Sequence, residues 1–361
     1  MSKSSAPTNS SAFNVAELKS FATRYYLQIV IGVIAVAVVY ATALPDRALM
    51  DPLSTRNIVR ILLIGAFFIL VIFANHNRYQ VFKVTNSIMV PVTVVLILLY
   101  IWFDAWGADE LSREDKVIED LSFFFLMIGA ACLAVVAIYL IRKREFVTAA
   151  LSVLGAAVFF VIGMEEISWF QRVLEVESTE FFLNRNSQGE TNFHNIYTHE
   201  SEDIYYLGGF LFLVLLPYFR ESLARFFDQK RFSIATILLP PAWLIAPFAL
   251  AGAFVSQSFA SRAANVTIVV GTLIVLIGLM CRHYQQREWG SLAQVVSSFA
   301  ITLIAVVMLL GMDFISVEVR PWIGKEYQEF YIAWGLAAYG VSVLFQAIEF
   351  YREPAISESS A

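Results

Sequence analysis

Two adjacent carboxylates, Glu165 and Glu166, stand where a long apolar run gives way to the most polar stretch of the chain, Gly163 to Asp203. That stretch reads GMEEISWFQRVLEVESTEFFLNRNSQGETNFHNIYTHESED and holds two of the four histidines, His194 and His199. A carboxylate partly withdrawn from water has its neutral form favoured, which suits it to general acid–base work. Glu165, Glu166 and His194 are therefore the catalytic candidates. Arg172 offers a planar, two-pronged donor for an anionic head group. Ser168, Trp169, Gln171, Arg172, Glu190, Asn192 and Asn195 complete the candidate binding set.

If the helix carrying the acids runs on through Arg172, then Glu165, Ser168, Trp169 and Arg172 share one stripe. Glu166 is then turned about 100° away. An unpartnered carboxylate in a helix bundle costs on the order of several kcal/mol. The segment from Glu190 to Asn195 is accordingly expected to fold back on the helix end, bringing Asn192 or His194 to Glu165 or Glu166. Trp169, Phe170, Val173, Leu174, Phe181 and Phe182 suggest amphipathic pieces lying in the membrane interface. Asn192 suits the N-cap of a short helix carrying His194, Asn195 and His199.

A metal site is conceivable from Glu165 or Glu166 with His194 and His199, but the spacing does not specify one. The two histidines are five residues apart, about 140° on a helix, and the H-E-x-x-H pattern is absent. The sequence also lacks a nucleophile elbow, a P-loop and a dinucleotide fingerprint. No cofactor is identifiable.

The polar segment resembles a signature of an uncharacterised bacterial family of polytopic membrane proteins, close to GEEISWGQR followed by NxQGETNLHN. Glu165, Glu166, Ile167, Ser168, Trp169, Gln171 and Arg172 match its first part. Asn186, Gln188, Gly189, Glu190, Thr191, Asn192, His194 and Asn195 match its second, and the stretch Arg113-Glu114-Asp115 is also similar. Phe170 stands where the pattern has Gly; Met164, Ser187 and Phe193 depart from it more mildly. The resemblance implies a bacterial multi-pass membrane protein and brings no activity with it.

The elements that must position these residues are membrane helices. The chain is 58% apolar and only 15% charged, and a span needs roughly 20 predominantly apolar residues. Ten runs qualify: 25–44, 57–75, 87–106, 121–141, 146–164, 204–224, 233–256, 263–281, 291–312 and 328–350. Pro240, Pro241 and Pro247 make the seventh irregular. The expected fold is an all-α, polytopic integral membrane bundle occupying 24–352, between polar tails at 1–23 and 353–361. The polar segment 165–203 then emerges on its outer face.

Orientation follows from the basic loops. Arg142-Lys143-Arg144, then Arg220, Arg225, Lys230 and Arg231, then Arg282 and Arg287 fall in alternate connections. The positive-inside bias places them, and both termini, in the cytoplasm. The intervening loops are acidic, with seven acids from Asp104 to Asp120 and nine from Glu165 to Asp203. Many of these acids precede return helices, where Glu200, Glu202, Asp203, Glu326 and Glu329 are explained by the helix macrodipole, with Ser201 or Thr198 as an N-cap. Gly163-Met164-Glu165-Glu166-Ile167-Ser168 is echoed by Gly311-Met312-Asp313-Phe314-Ile315-Ser316, which adds Asp313 to the candidate binding set. Cys132 and Cys281 lie in different helices and are expected to stay unpaired.

A net charge of −5 without a basic cluster argues against a nucleic-acid partner. Three function classes remain. The first is a membrane-embedded enzyme, a hydrolase or transferase acting on a lipid or lipid-linked substrate at the outer face of the inner membrane. The second is a non-catalytic assembly subunit docking a membrane-protein partner. The third is a transporter, for which the proline-broken span argues and the near absence of charge at span centres argues against.

Overall fold

The computed structural model describes residues 78–103, 108, 117–171, 174, 176–186, 189, 191–229, 233–254, 262–315 and 323–350. The first two expected spans, both tails, and Arg172 and Glu190 of the candidate site lie outside them. Every regular element among the described residues is helical. In chain order they are α1 (Arg78–Phe103), α2 (Val117–Arg142), α3 (Phe146–Glu166), the short α4 (Glu180–Leu183), α5 (Thr198–Phe210) and α6 (Arg220–Gln229). A broken stretch from Ser233 to Ala253 contains α7 (Ile245–Phe248), and α8 (Arg262–Gln286), α9 (Trp289–Ile315) and α10 (Ile323–Phe350) follow.

Seven helical stretches here are long and apolar enough to cross a membrane. The bent pair Glu200–Tyr218 and Arg220–Asp228, which meet at 71°, makes an eighth if read as one span. The seven overlap seven of the expected spans and the bent pair overlaps the sixth, although α1, α2 and α10 begin several residues earlier than the apolar runs suggested.

The central helix is α10. Of its most apolar window 72% is buried, against 28% for α3. The outward face of α3 carries Phe146, Val147, Leu151, Leu154, Val158 and Val161, all exposed. Such a face suits hydrocarbon and would not suit water. α2 packs against both α3 and α10, and glycine sets the distance. A Cβ on Gly340 would lie 2.8 Å from the Cα and carbonyl oxygen of Gly129, so the two backbones touch. Beside that contact Phe125 stacks on Trp334, with ring centroids 5.4 Å apart.

Two of these stretches are irregular, each beside proline. Pro217 has no N–H for the carbonyl of Leu213. The turn before it, Leu211–Leu215, widens to π geometry, with the Leu216 N–H bonding to the Leu211 oxygen. Pro240 and Pro241 likewise offer no N–H to the Ser233–Leu238 turn, whose Thr236 carbonyl takes the Leu239 N–H. Arg220 adds donors there: its guanidinium donates to the carbonyls of Leu239 and Thr236 and to Gln346 Oε1 on α10. The Tyr339 hydroxyl donates to the Leu238 carbonyl at 2.8 Å. Backbone carbonyls away from water need such partners.

Both cysteines are free thiols.

Candidate functional site

The condition for a shared stripe, a helix running on from the acids, is not met: the helix stops at Glu166. Ile167 leaves helical geometry, and Ser168 and Trp169 follow with φ of 49° and 55°. Two consecutive non-glycine residues in the left-handed region are strained by roughly 1 kcal/mol or more each, so other contacts must hold them. Glu165, Ser168 and Trp169 therefore do not share one helical stripe. In its place is a clasp.

Glu165 is the centre of the clasp. Its Oε1 accepts the Trp169 indole N–H at 2.7 Å. Its Oε2 accepts the backbone N–H groups of Phe193, at 2.7 Å, and His194, at 3.0 Å. The segment beyond Glu190 thus folds back on the end of α3, as the need for carboxylate partners required. Nδ2 of Asn192 donates to the Ser168 hydroxyl at 3.1 Å, tying down the left-handed turn. Oδ1 of Asn192 accepts from Asn186 Nδ2 at 2.9 Å and from the Asn195 N–H at 3.2 Å. Asn192 and Asn186 are both buried.

Gln171 closes the second layer. Its Oε1 accepts the Thr191 N–H and its Nε2 donates to the Ser178 hydroxyl, both at 2.6 Å. Ser178 donates in turn to the carbonyl of Gly189 at 2.6 Å. Gly189 has φ 71°, a turn conformation glycine adopts without strain. Outside this polar core Trp169, Leu174, Val176, Phe181, Leu183 and Phe193 are exposed. Among the described residues the amphipathic pieces expected here are the 3-10 turn Ser168–Phe170 and the helical turn α4.

Asn192 caps one turn through Asn195, and α5 starts only at Thr198, so His199 lies on α5. Neither Thr198 nor Ser201 caps that helix: no side chain bonds its N-cap, and the Thr198 hydroxyl donates to the Asn195 carbonyl. The side chain of His199 lies outside the description, as does that of Asp313, whose backbone belongs to the last turn of α9.

A second group of acids comes from other helices. Glu166, partly buried at the end of α3, is within electrostatic reach of Glu329, Glu119 and Glu165. Glu329 is buried, with His194, Glu202 and Lys325 within the same reach. The Tyr206 hydroxyl donates to Glu329 Oε1 at 2.5 Å. Lys325 Nζ bonds both oxygens of Glu202, at 2.6 and 2.7 Å, with both side chains largely buried. The macrodipole reading of Glu202 and Glu329 is thereby corrected. They are interior groups with named partners, and the matching i, i+4 spacings of 202/206 and 325/329 were the signal for it. Among the described residues no three His, Cys, Asp or Glu side chains are placed to hold a metal ion.

Compared with known proteins, the chain matches no family model, no curated protein and no solved structure.

Proposed function

We propose that this is a bacterial inner-membrane protein whose outer face carries an acid–base site, acting by hydrolysis or group transfer on a lipid or lipid-linked substrate. The observation that carries the reading is the buried Tyr206–Glu329 hydrogen bond between α5 and α10, with Glu166 of α3 and His194 of the clasp segment within electrostatic reach of that carboxylate. Carboxylates crowded out of water next to hydroxyl and imidazole groups are equipped to pass a proton. Glu166 is the acid–base residue in this reading, with Glu329 and His194 as its partners. Glu165, whose two oxygens hold the clasp, is a positioning residue, as are Ser168, Trp169, Gln171, Asn192 and Asn195. Arg172, Glu190 and Asp313 are assigned to the substrate head group. Membership of the family that shares the GEEISWGQR-type signature belongs to the same proposal.

The test is turnover. Purified protein in lipid nanodiscs is offered phospholipids and polyprenyl-linked substrates, and products are read by mass spectrometry. Glu166→Gln and Glu329→Gln should each lower the rate by about 100-fold or more while the unfolding midpoint stays near wild type. A second reading, a subunit that docks another membrane protein, is favoured by the exposed ridge of Phe181, Leu183 and Phe193. Absence of turnover together with a stoichiometric co-purifying protein would replace the first reading by the second.

Orientation is proposed with both termini cytoplasmic. Cysteines introduced at Ser187 and Ser357 are probed with an impermeant thiol reagent in intact cells. Labelling at 187 and protection at 357 are expected, and the reverse pattern would invert the topology.

A further inference from the structure

A small cavity lies between α5, the turn Ala249–Ala253 of the broken span, α8 and α10. Tyr206, Gly209, Gly252, Ile268, Thr272 and Gln328 are among the residues that line it. Two of its polar atoms, Thr272 Oγ1 and Gln328 Oε1, are buried and have no hydrogen-bond partner among the described residues. The two residues are only 1% and 2% exposed. Folded proteins rarely leave such oxygens unmet.

Thr272, like Ser298, lacks a bond that other buried hydroxyls of the bundle make. Thr93, Ser122, Ser152 and Thr302 each donate to the carbonyl four residues earlier in their own helix, at 2.7 to 3.0 Å. Thr272 makes no such bond. Its oxygen sits against the backbone of the broken span, where a Cβ on Gly252 would lie 3.2 Å away. The free space is that of one water molecule.

We propose that this cavity is a binding site for a single ordered water, which donates to Gln328 Oε1 and shares a hydrogen bond with the Thr272 hydroxyl. The water ties α10 to α8 beside the proline-broken span. A bare monovalent cation fits less well. It would surrender its hydration shell to two neutral oxygens in apolar walls, whereas a water keeps hydrogen bonds nearly as good as those it leaves.

The full chain, purified in detergent, is the material for the test. A map that resolves waters should show a peak within hydrogen-bond distance of both oxygens. The unfolding midpoint should be the same in sodium, potassium and choline chloride at equal ionic strength. Thr272→Val and Gln328→Leu should each lower the midpoint, and the double variant should lie close to the worse single, because either change already removes the water. A midpoint raised by sodium alone would overturn the proposal in favour of an ion site. No peak together with additive single effects would overturn it in favour of a dry cavity.

Discussion

Lys325 places its ammonium within hydrogen-bond distance of both oxygens of Glu202, at 2.6 and 2.7 Å. One turn along the same two helices, Tyr206 donates to Glu329. Each helix presents its two residues four positions apart, so the pairs form consecutive rungs between α5 and α10. Below them the contact turns apolar and close: a Cβ on Gly209 would come within 2.9 Å of Ile332, and one on Gly335 within 2.4 Å of Leu213. The polar rungs set the register at which the apolar surfaces meet.

Breaking one rung should show what its burial costs. Lys325→Met leaves Glu202 buried without its cation and is expected to destabilise the protein by about 3–5 kcal/mol. Adding Glu202→Leu should recover much of that loss. Both are read from unfolding midpoints in detergent. An unchanged midpoint in Lys325→Met would mean that the pair is solvated.

The clasp can be read amide by amide. The Phe193 and His194 N–H groups bond to a carboxylate oxygen, and bonds to charged groups are worth about 1.5–3 kcal/mol against about 1 for neutral ones. Glu165→Gln should therefore speed hydrogen exchange at these two amides by about tenfold, since about 1.4 kcal/mol is one decade. Glu165→Ala should speed it further. Exchange at wild-type rates in both variants would remove Glu165 from the centre of the clasp.

Gly340 and Gly290 make a controlled pair. A Cβ at 340 meets the backbone of Gly129 at 2.8 Å, whereas one at 290 meets nothing within 4 Å. Gly340→Ala must push α2 and α10 apart, at a cost of about 1–3 kcal/mol. Gly290→Ala should be neutral or slightly stabilising, as alanine favours helix. Equal midpoints for the two variants would contradict the close crossing.

Arg220 serves carbonyls beside the proline pair. Lysine keeps the charge but cannot span Thr236, Leu239 and Gln346 at once. Arg220→Lys is expected to lose about 1–3 kcal/mol and to raise protease sensitivity in the broken stretch. Unaltered proteolysis would show that other donors suffice.

What the sequence determined by itself follows from terms that act locally. Twenty apolar residues in a row have one low-energy solution in a bilayer, so the spans could be read without knowing their neighbours. Pro240, Pro241 and Pro247 remove backbone donors wherever they stand, which made the irregular seventh span legible. The fold-back of Asn192 and His194 onto α3 followed from the cost of an unpaired carboxylate. Tertiary structure alone decided the rest. Nothing in the types of Ser168 and Trp169 announces a left-handed turn; it exists because Asn192 and Glu165 hold it from a distance in sequence. The sequence set Glu165 and Glu166 about 100° apart, but only the folded chain shows that Glu165 is the one taken up by the clasp. Spacings of four at 202/206 and 325/329 show which residues share a helix face. They do not show which helix that face meets, and only that meeting makes partners of Lys325 and Glu202.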